Sequence, residues 1–143
     1  MLPALGRSTI LPRGFARAEF EHRFARAQAA LLARGLDAVF VTDEAHVRWF
    51  TGLDYEFWHS PTRPTFVVVG ARARAPIAVV AEISAPAMAR TWVDDVRAWP
   101  APRDADDGVS LLVGALRDAS GGGGGGGGVV GAPLGQGCSL RMP

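Results

Sequence analysis

Three histidines, one cysteine and a short segment crowded with aromatics beside an arginine are the side chains of this 143-residue sequence from which chemistry could be built. His22, His46 and His59 lie far apart, and none has a second His, Cys or carboxylate at the i, i+4 spacing that puts two metal ligands on one helical face. His22 reads as a solvated helix position. Asp94 and Asp95 are neighbours, so they diverge by about 100° on a helix or face opposite sides of a strand, which suits surface or capping roles better than a paired acid and base. Asp104, Asp106 and Asp107 read as turn and N-cap residues. Ser8, Ser60, Ser84, Ser110 and Ser120 lack a nucleophile-elbow context, and Cys138 has no His near it in sequence. Every basic residue is Arg, and a guanidinium that never loses its proton cannot run Schiff-base chemistry or take the place of a P-loop lysine. The residues contain no catalytic constellation and no metal site.

The exception to these structural readings is the segment of residues 53–64, LDYEFWHSPTRP. It gathers Tyr55, Phe57, Trp58, His59 and Arg63 between two turn signals, and its two prolines and serine break any strand ladder. An exposed recognition loop follows from that pattern, with Trp58, His59 and Arg63 as candidate substrate-binding residues. The competing reading, in which Phe57 and Trp58 seal the edge of a sheet, stays open beside it.

The elements that must position this loop are legible as period and punctuation. Phe20, Phe24, Ala27 and Leu31 recur at spacings of four, three and four, which predicts a helix over residues 17–34 with Glu19 and Arg23 as an exposed pair; Gly35 then ends it. Residues 38–42 form an apolar run of strand length, and Asp43 caps a short helix stopped by Thr51 and Gly52. Residues 65–69 and 77–81 read as an antiparallel pair, followed by a helix from Ser84 to about Trp92 and a strand over 95–99. A helix over 109–116 is capped by Asp106 or Asp107. Gly121 to Gly128 are eight consecutive glycines with nothing to bury, a flexible loop that leads into a short strand at Val129 and Val130. The expected fold class is therefore α/β, a three-layer-like mixed β-sheet flanked by helices, covering residues 15–143 behind a disordered leader of residues 1–14. The first 18 residues carry Arg7, Arg13 and Arg17 and no acids, which gives them a faint targeting-peptide character.

Composition narrows the classes. With 48% apolar and 20% charged residues and a net charge of +1, from 15 basic and 14 acidic residues, the chain carries no field that would draw it to nucleic acid or a membrane surface. No apolar run approaches the ~20 residues of a bilayer span. A single cysteine fits a reducing compartment, hence a cytoplasmic location.

The order of helix, Gly35-Leu36-Asp37-Ala38, strand, and then Val47-Arg48-Trp49-Phe50-Thr51-Gly52 resembles the N-terminal domain of the creatinase/prolidase family over most of residues 15–99. Residues 130–143 look like the strand and turn that follow the last helix of that domain, and the glycine run departs from the pattern. The resemblance implies a non-catalytic domain of an Xaa-Pro peptidase or creatinase-type hydrolase that contributes dimer contacts and part of a substrate pocket. It implies that the loop before the 65–69 strand carries an aromatic and an Arg, matched here by Trp58 and Arg63, toward a partner's active site. It further implies that a divalent metal pair, where peptidase-type relatives use one, belongs to a second domain that these residues do not include, and that the chain stops about where the linker to it would begin. The implied partners are a second copy or homologous full-length subunits. A free-standing interaction module that assembles with such subunits is the alternative.

The missing ligand set makes the first prediction. The 143-residue polypeptide by itself should hydrolyse neither an Xaa-Pro peptide nor creatine, with or without manganese, zinc or cobalt. Turnover that follows the protein through purification in a standard release assay would contradict it.

Overall fold

The computed structural model describes residues 14–56, 58, 60, 62–103, 105–121 and 128–133. Three calls for structure made above, the leader at residues 1–14 apart from Gly14, the glycine loop at 122–127 and the final turn at 134–143, lie outside the described residues, as do His59 and Cys138. Five strands form one sheet: β1 (Ala38–Val41), β2 (Phe66–Gly70), β3 (Ile77–Ala81), β4 (Asp95–Trp99) and β5 (Val130–Gly131), in the order β4-β3-β2-β1-β5. β2 runs antiparallel to both of its neighbours, with Phe40 opposite Val68 and Val67 opposite Ala78, whereas β3 with β4 and β1 with β5 are parallel. The mixed sheet and the antiparallel β2–β3 pair agree with the sequence.

Alternation along each strand sorts side chains onto two buried faces. Phe40, Phe66, Val68, Ile77 and Val79 meet Leu112 and Ala115 of α4 (Val109–Ala119), while Val41, Val67, Val69, Ala78 and Val80 meet α1 (Arg17–Ala33), α2 (Glu44–Thr51) and α3 (Ala85–Met88). Because both of their faces are covered, β1, β2 and β3 are unbroken apolar runs, and each buried valine is worth about 1.5–3 kcal/mol. β4 is an edge strand, and Arg97 on it donates to both carboxylate oxygens of Asp95 at 3.1 and 2.9 Å and reaches Asp118 of α4 at 2.8 Å. Charges placed there blunt the edge against pairing with another chain.

Two readings need correction. The helix expected from Ser84 to Trp92 is a 3₁₀ turn at Glu82–Ser84 followed by only four residues of α3, because Thr91 turns its hydroxyl back to the Met88 carbonyl at 2.7 Å and Trp92 leaves the axis to stack near Phe20. The Glu19–Arg23 pair is exposed at Glu19, whose side chain is 44% accessible, but not at Arg23. Arg23 is only 7% exposed, with Glu19 at 2.8 Å, the Trp49 carbonyl at 3.1 Å, and the rings of Trp49, Phe15 and Phe20 at 4.2, 4.5 and 5.0 Å from its guanidinium carbon. A planar cation can be buried when aromatic faces and a carboxylate share its desolvation, a condition that helical spacing does not encode.

Two glycines test this packing in opposite directions. A Cβ on Gly70 would stand 2.4 Å from the Ala119 carbonyl oxygen, so the end of β2 meets the end of α4 backbone to backbone. Gly114 lies inside α4 with nothing nearer than an Arg97 nitrogen at 3.7 Å. In urea unfolding, Gly70→Ala should destabilise by about 1–3 kcal/mol through overpacking, and Gly114→Ala should stabilise by about 0.5–1 kcal/mol through helix propensity. Equal effects from the two would contradict the β2–α4 approach.

Candidate functional site

The carboxyl ends of β1 and β3 and the start of β2 lie along one edge of the sheet, since β2 is antiparallel to both. The connection between α2 and β2 therefore crosses the edge where open α/β sheets bind ligands. Its entry is fixed locally. Gly52 takes a left-handed conformation with φ 72°, its amide returns to the Arg48 carbonyl at 2.8 Å, and the buried Thr51 hydroxyl donates to the Val47 carbonyl and accepts the Leu53 amide at 2.7 and 3.0 Å. Leu53 is then fully buried.

Beyond Leu53 the loop is held by side chains. The Tyr55 hydroxyl and Ser84 Oγ are 2.5 Å apart, which ties the loop to the turn after β3. The Tyr55 and Trp58 rings meet edge to face at 5.8 Å, and the Arg48 guanidinium carbon lies 5.2 Å from the Trp58 ring centre. Arg48 also pairs with Glu44 at 2.5 Å and lies 3.6 Å from Asp54. Helix α2 thus presents one arginine that grips the loop at both a carboxylate and an aromatic ring. The indole N–H of Trp58 is buried with no hydrogen-bond acceptor among the described residues.

The structure places the three candidate residues differently. Trp58 is half-buried, packs against the core cluster beside Tyr55, and has one face toward Arg48. Arg63 is half-buried and has no ion-pair partner among the described residues. His59 lies outside the described residues, and no hydrogen bond or stacking contact joins Trp58 to Arg63 among them. Neither Arg48 nor Ser84 was given a role at this loop from sequence, and Tyr55 was noted only as one of its aromatics. The Arg48-to-Glu44 spacing of four was a visible signal for one of them, but the Tyr55–Ser84 bond spans 29 positions and has no local signature.

At the mouth of α2, Asp43 caps the helix by accepting the His46 amide at 3.1 Å, and its other oxygen lies 2.6 Å from His46 Nδ1. His22 is exposed on α1, and Asp94 and Asp95 carry no cluster beyond their arginine partners. Among the described residues no group of three or more His, Cys, Asp or Glu side chains converges as metal ligands would, so a divalent pair does not fit these residues. No helix among them is long and apolar enough to cross a membrane.

With this architecture in view, the comparisons identify the class. The profile of the creatinase/prolidase N-terminal domain matches residues 23–123, and the chain belongs to that family. The dipeptidase PepE from Mycobacterium ulcerans superposes with a TM-score of 0.55 at 24% identity, over 71% of this chain and 27% of that one. The creatinase/prolidase N-terminal domain of an X-Pro dipeptidase from Streptococcus pyogenes gives 0.51 at 16% identity, over 57% and 60%. A proline dipeptidase from Streptococcus agalactiae gives 0.53 at 13% identity, over 85% and 99%. At these identities the likeness establishes the fold, a mixed sheet flanked by helices as expected from sequence. The chain spans 27% of the first of these structures and 60% of the second. No curated protein sequence matches significantly.

The cap of α2 carries its own pH dependence. Burial opposes ionisation of Asp43 most strongly, but the amide, ring and charge of His46 together outweigh it and hold its pKa below the ordinary aspartate value. A lowered folded pKa stabilises fully above the unfolded value of about 3.9 and is lost as pH falls through the folded one. Asp43→Ala should therefore cost about 1 kcal/mol near neutral pH, with the gap to wild type closing below about pH 4. A gap that persists unchanged to strongly acidic pH in denaturant titrations would remove Asp43 from the cap.

Proposed function

We propose that this chain acts as the non-catalytic N-terminal domain of an Xaa-Pro peptidase or creatinase-type hydrolase, contributing dimer contacts and one wall of a substrate pocket in a cytoplasmic enzyme. The observation that carries the reading is the state of Arg63: half-buried, unpaired among the described residues, and on a loop anchored across the carboxyl edge of the sheet. A guanidinium on this loop without a carboxylate of its own is available to take one from a ligand. The carboxylate of a short peptide supplies two oxygens that match the guanidinium fork with parallel hydrogen bonds. Family membership supports the class of protein, and the names of the similar structures, dipeptidase and proline dipeptidase, support a peptide as the substrate class. In this reading Trp58 stiffens the loop through Tyr55 and Arg48, and the catalytic groups come from outside the described residues.

The test is made in the full-length enzyme. Arg63→Ala should lower kcat/KM at least about tenfold, equivalent to ~1.4 kcal/mol, while leaving the thermal midpoint nearly unchanged. Arg63→Lys should recover only part of the loss, because an ammonium keeps the charge without the fork. An unchanged kcat/KM, or a collapse of the fold, assigns Arg63 to architecture.

A further inference from the structure

Arg26 has no acid within one helical turn. The positions three and four residues to either side of it are Arg23, His22, Ala29 and Ala30, so the partner one turn earlier that Glu19 gives Arg23 and Glu44 gives Arg48 is missing. Arg26 is exposed on α1 and has no carboxylate partner among the described residues. Together with Arg23, Ala27 and Trp49 it lines a cleft of about 240 Å³ between α1 and α2.

The cleft joins this charge to uncovered aromatic surface. Positions 23, 26 and 27 share one face of α1, and Trp49 of α2 completes the lining. Trp49 and Phe15, the aromatic side chains left largely exposed among the described residues, are 47% and 45% exposed, and both stack on the Arg23 guanidinium. Arg23 itself is nearly buried. Its Nε donates to Glu19 and its Nη1 to the Trp49 carbonyl, whereas Nη2 donates to no group among the described residues and is not sealed from solvent. A guanidinium clamped between rings therefore holds one amino group open in a fixed plane, with little left to order when an acceptor arrives.

We propose that this cleft binds the C-terminal residue of a peptide whose last side chain is apolar, its carboxylate received by Arg26 with Arg23 Nη2 as second donor and its side chain lying on Trp49. Two guanidinium groups against the single carboxylate of Glu19 leave one positive charge uncompensated. One carboxylate matches that charge, and a phosphate monoester carrying nearly two would exceed it beside Glu19. The cleft is smaller than the ~300–1,000 Å³ of complete small-molecule sites, so it suits one residue of a longer ligand. None of its lining residues belongs to the loop over residues 52–65, and the inference does not depend on the role given to Arg63.

The experiment titrates the 143-residue chain with an acetylated tripeptide ending in phenylalanine, read by calorimetry and by the indole N–H resonances. Binding should saturate in the millimolar range or tighter and should shift the Trp49 resonance, assigned through Trp49→Phe, while those of the buried Trp92 and Trp99 stay in place. The C-terminal amide of the same peptide should bind at least about tenfold more weakly, since it offers the arginines no charge. Arg26→Gln, a change at an exposed residue, should cost the acid at least about tenfold with the thermal midpoint unchanged, and should make no further difference to the amide. Absence of saturable binding overturns the proposal, and so does an amide that binds like the acid or an Arg26→Gln variant that binds like wild type. Phenyl phosphate binding more tightly than the tripeptide overturns the carboxylate assignment, and acetate binding as tightly overturns the part given to Trp49.

Discussion

Strand β2 is the constraint from which the rest of the architecture follows. Phe66, Val67, Val68 and Val69 are all fully buried, so neither face of the strand can meet water, and helices must cover both sides. Its direction matters as much as its burial. Lying antiparallel between β1 and β3, it begins at the edge where they end, so the chain leaving α2 must cross that edge to enter it. The position of the loop over residues 52–65 is a consequence of sheet topology, and its conformation is left to Thr51, Tyr55, Arg48 and Ser84.

The same strand sets how closely the layers approach. Gly70 ends β2 against the Ala119 carbonyl, and on the opposite face Gln28 of α1 donates to the carbonyls of Gly70 and Ala73 at 2.8 Å each. Those two contacts fix α1 and α4 to one residue of backbone from opposite sides. Asp37 performs a related role where β5 joins: its amide donates to the Val129 carbonyl at 2.8 Å, and its carboxylate accepts the Val129 amide at 2.9 Å. A two-residue strand has little ladder of its own, so this exchange defines where the chain rejoins the sheet after the glycine run. Loop closure entropy rises only slowly with length, which is why one such staple suffices to define a junction beyond a long connection.

What the sequence disclosed and what it hid divide along the range of the interactions. The strands over 38–41, 66–70 and 77–81 were legible because a doubly buried strand has to be an unbroken apolar run, the edge strand over 95–99 as a short run between turn signals, and the first helix because Phe20, Phe24 and Leu31 repeat with its period. The Asp43 cap was legible because it acts over three residues. Arg23 was misread because its burial depends on Phe15, Phe20 and Trp49 converging, and Trp49 comes from a different helix, 26 positions away. The third helix was overextended because nothing local signals that the Thr91 hydroxyl will close the chain and release Trp92, whose indole N–H donates to the Phe50 carbonyl at 2.7 Å across 42 positions. In the loop, the aromatic crowding announced a special segment, but the contacts that hold it, Trp58 with Arg48 and Tyr55 with Ser84, join residues that no spacing rule connects.

A chain whose only permanent cations are guanidinium groups uses them in two distinct ways. Arg23 and Arg48 are consumed by architecture, each paired with a glutamate one turn earlier on its helix and each facing aromatic rings. Arg97 is consumed likewise, its pKa raised foremost by the bond to Asp95, against the opposing effect of burial and with further support from Asp118. Others, such as Arg74, Arg90 and Arg117, stand in water, where hydration satisfies them and no partner is needed. Arg63 belongs to neither group: its side chain is half-buried on the loop, yet it has no carboxylate among the described residues. Arg26 differs in another way, exposed but set in a cleft beside a tryptophan that is itself half uncovered. Structural arginines come with their counter-charge built in, and solvated ones come with none and need none. A guanidinium on a half-buried side chain, or set beside uncovered aromatic surface, with no counter-charge of its own keeps its donors open to a carboxylate from elsewhere.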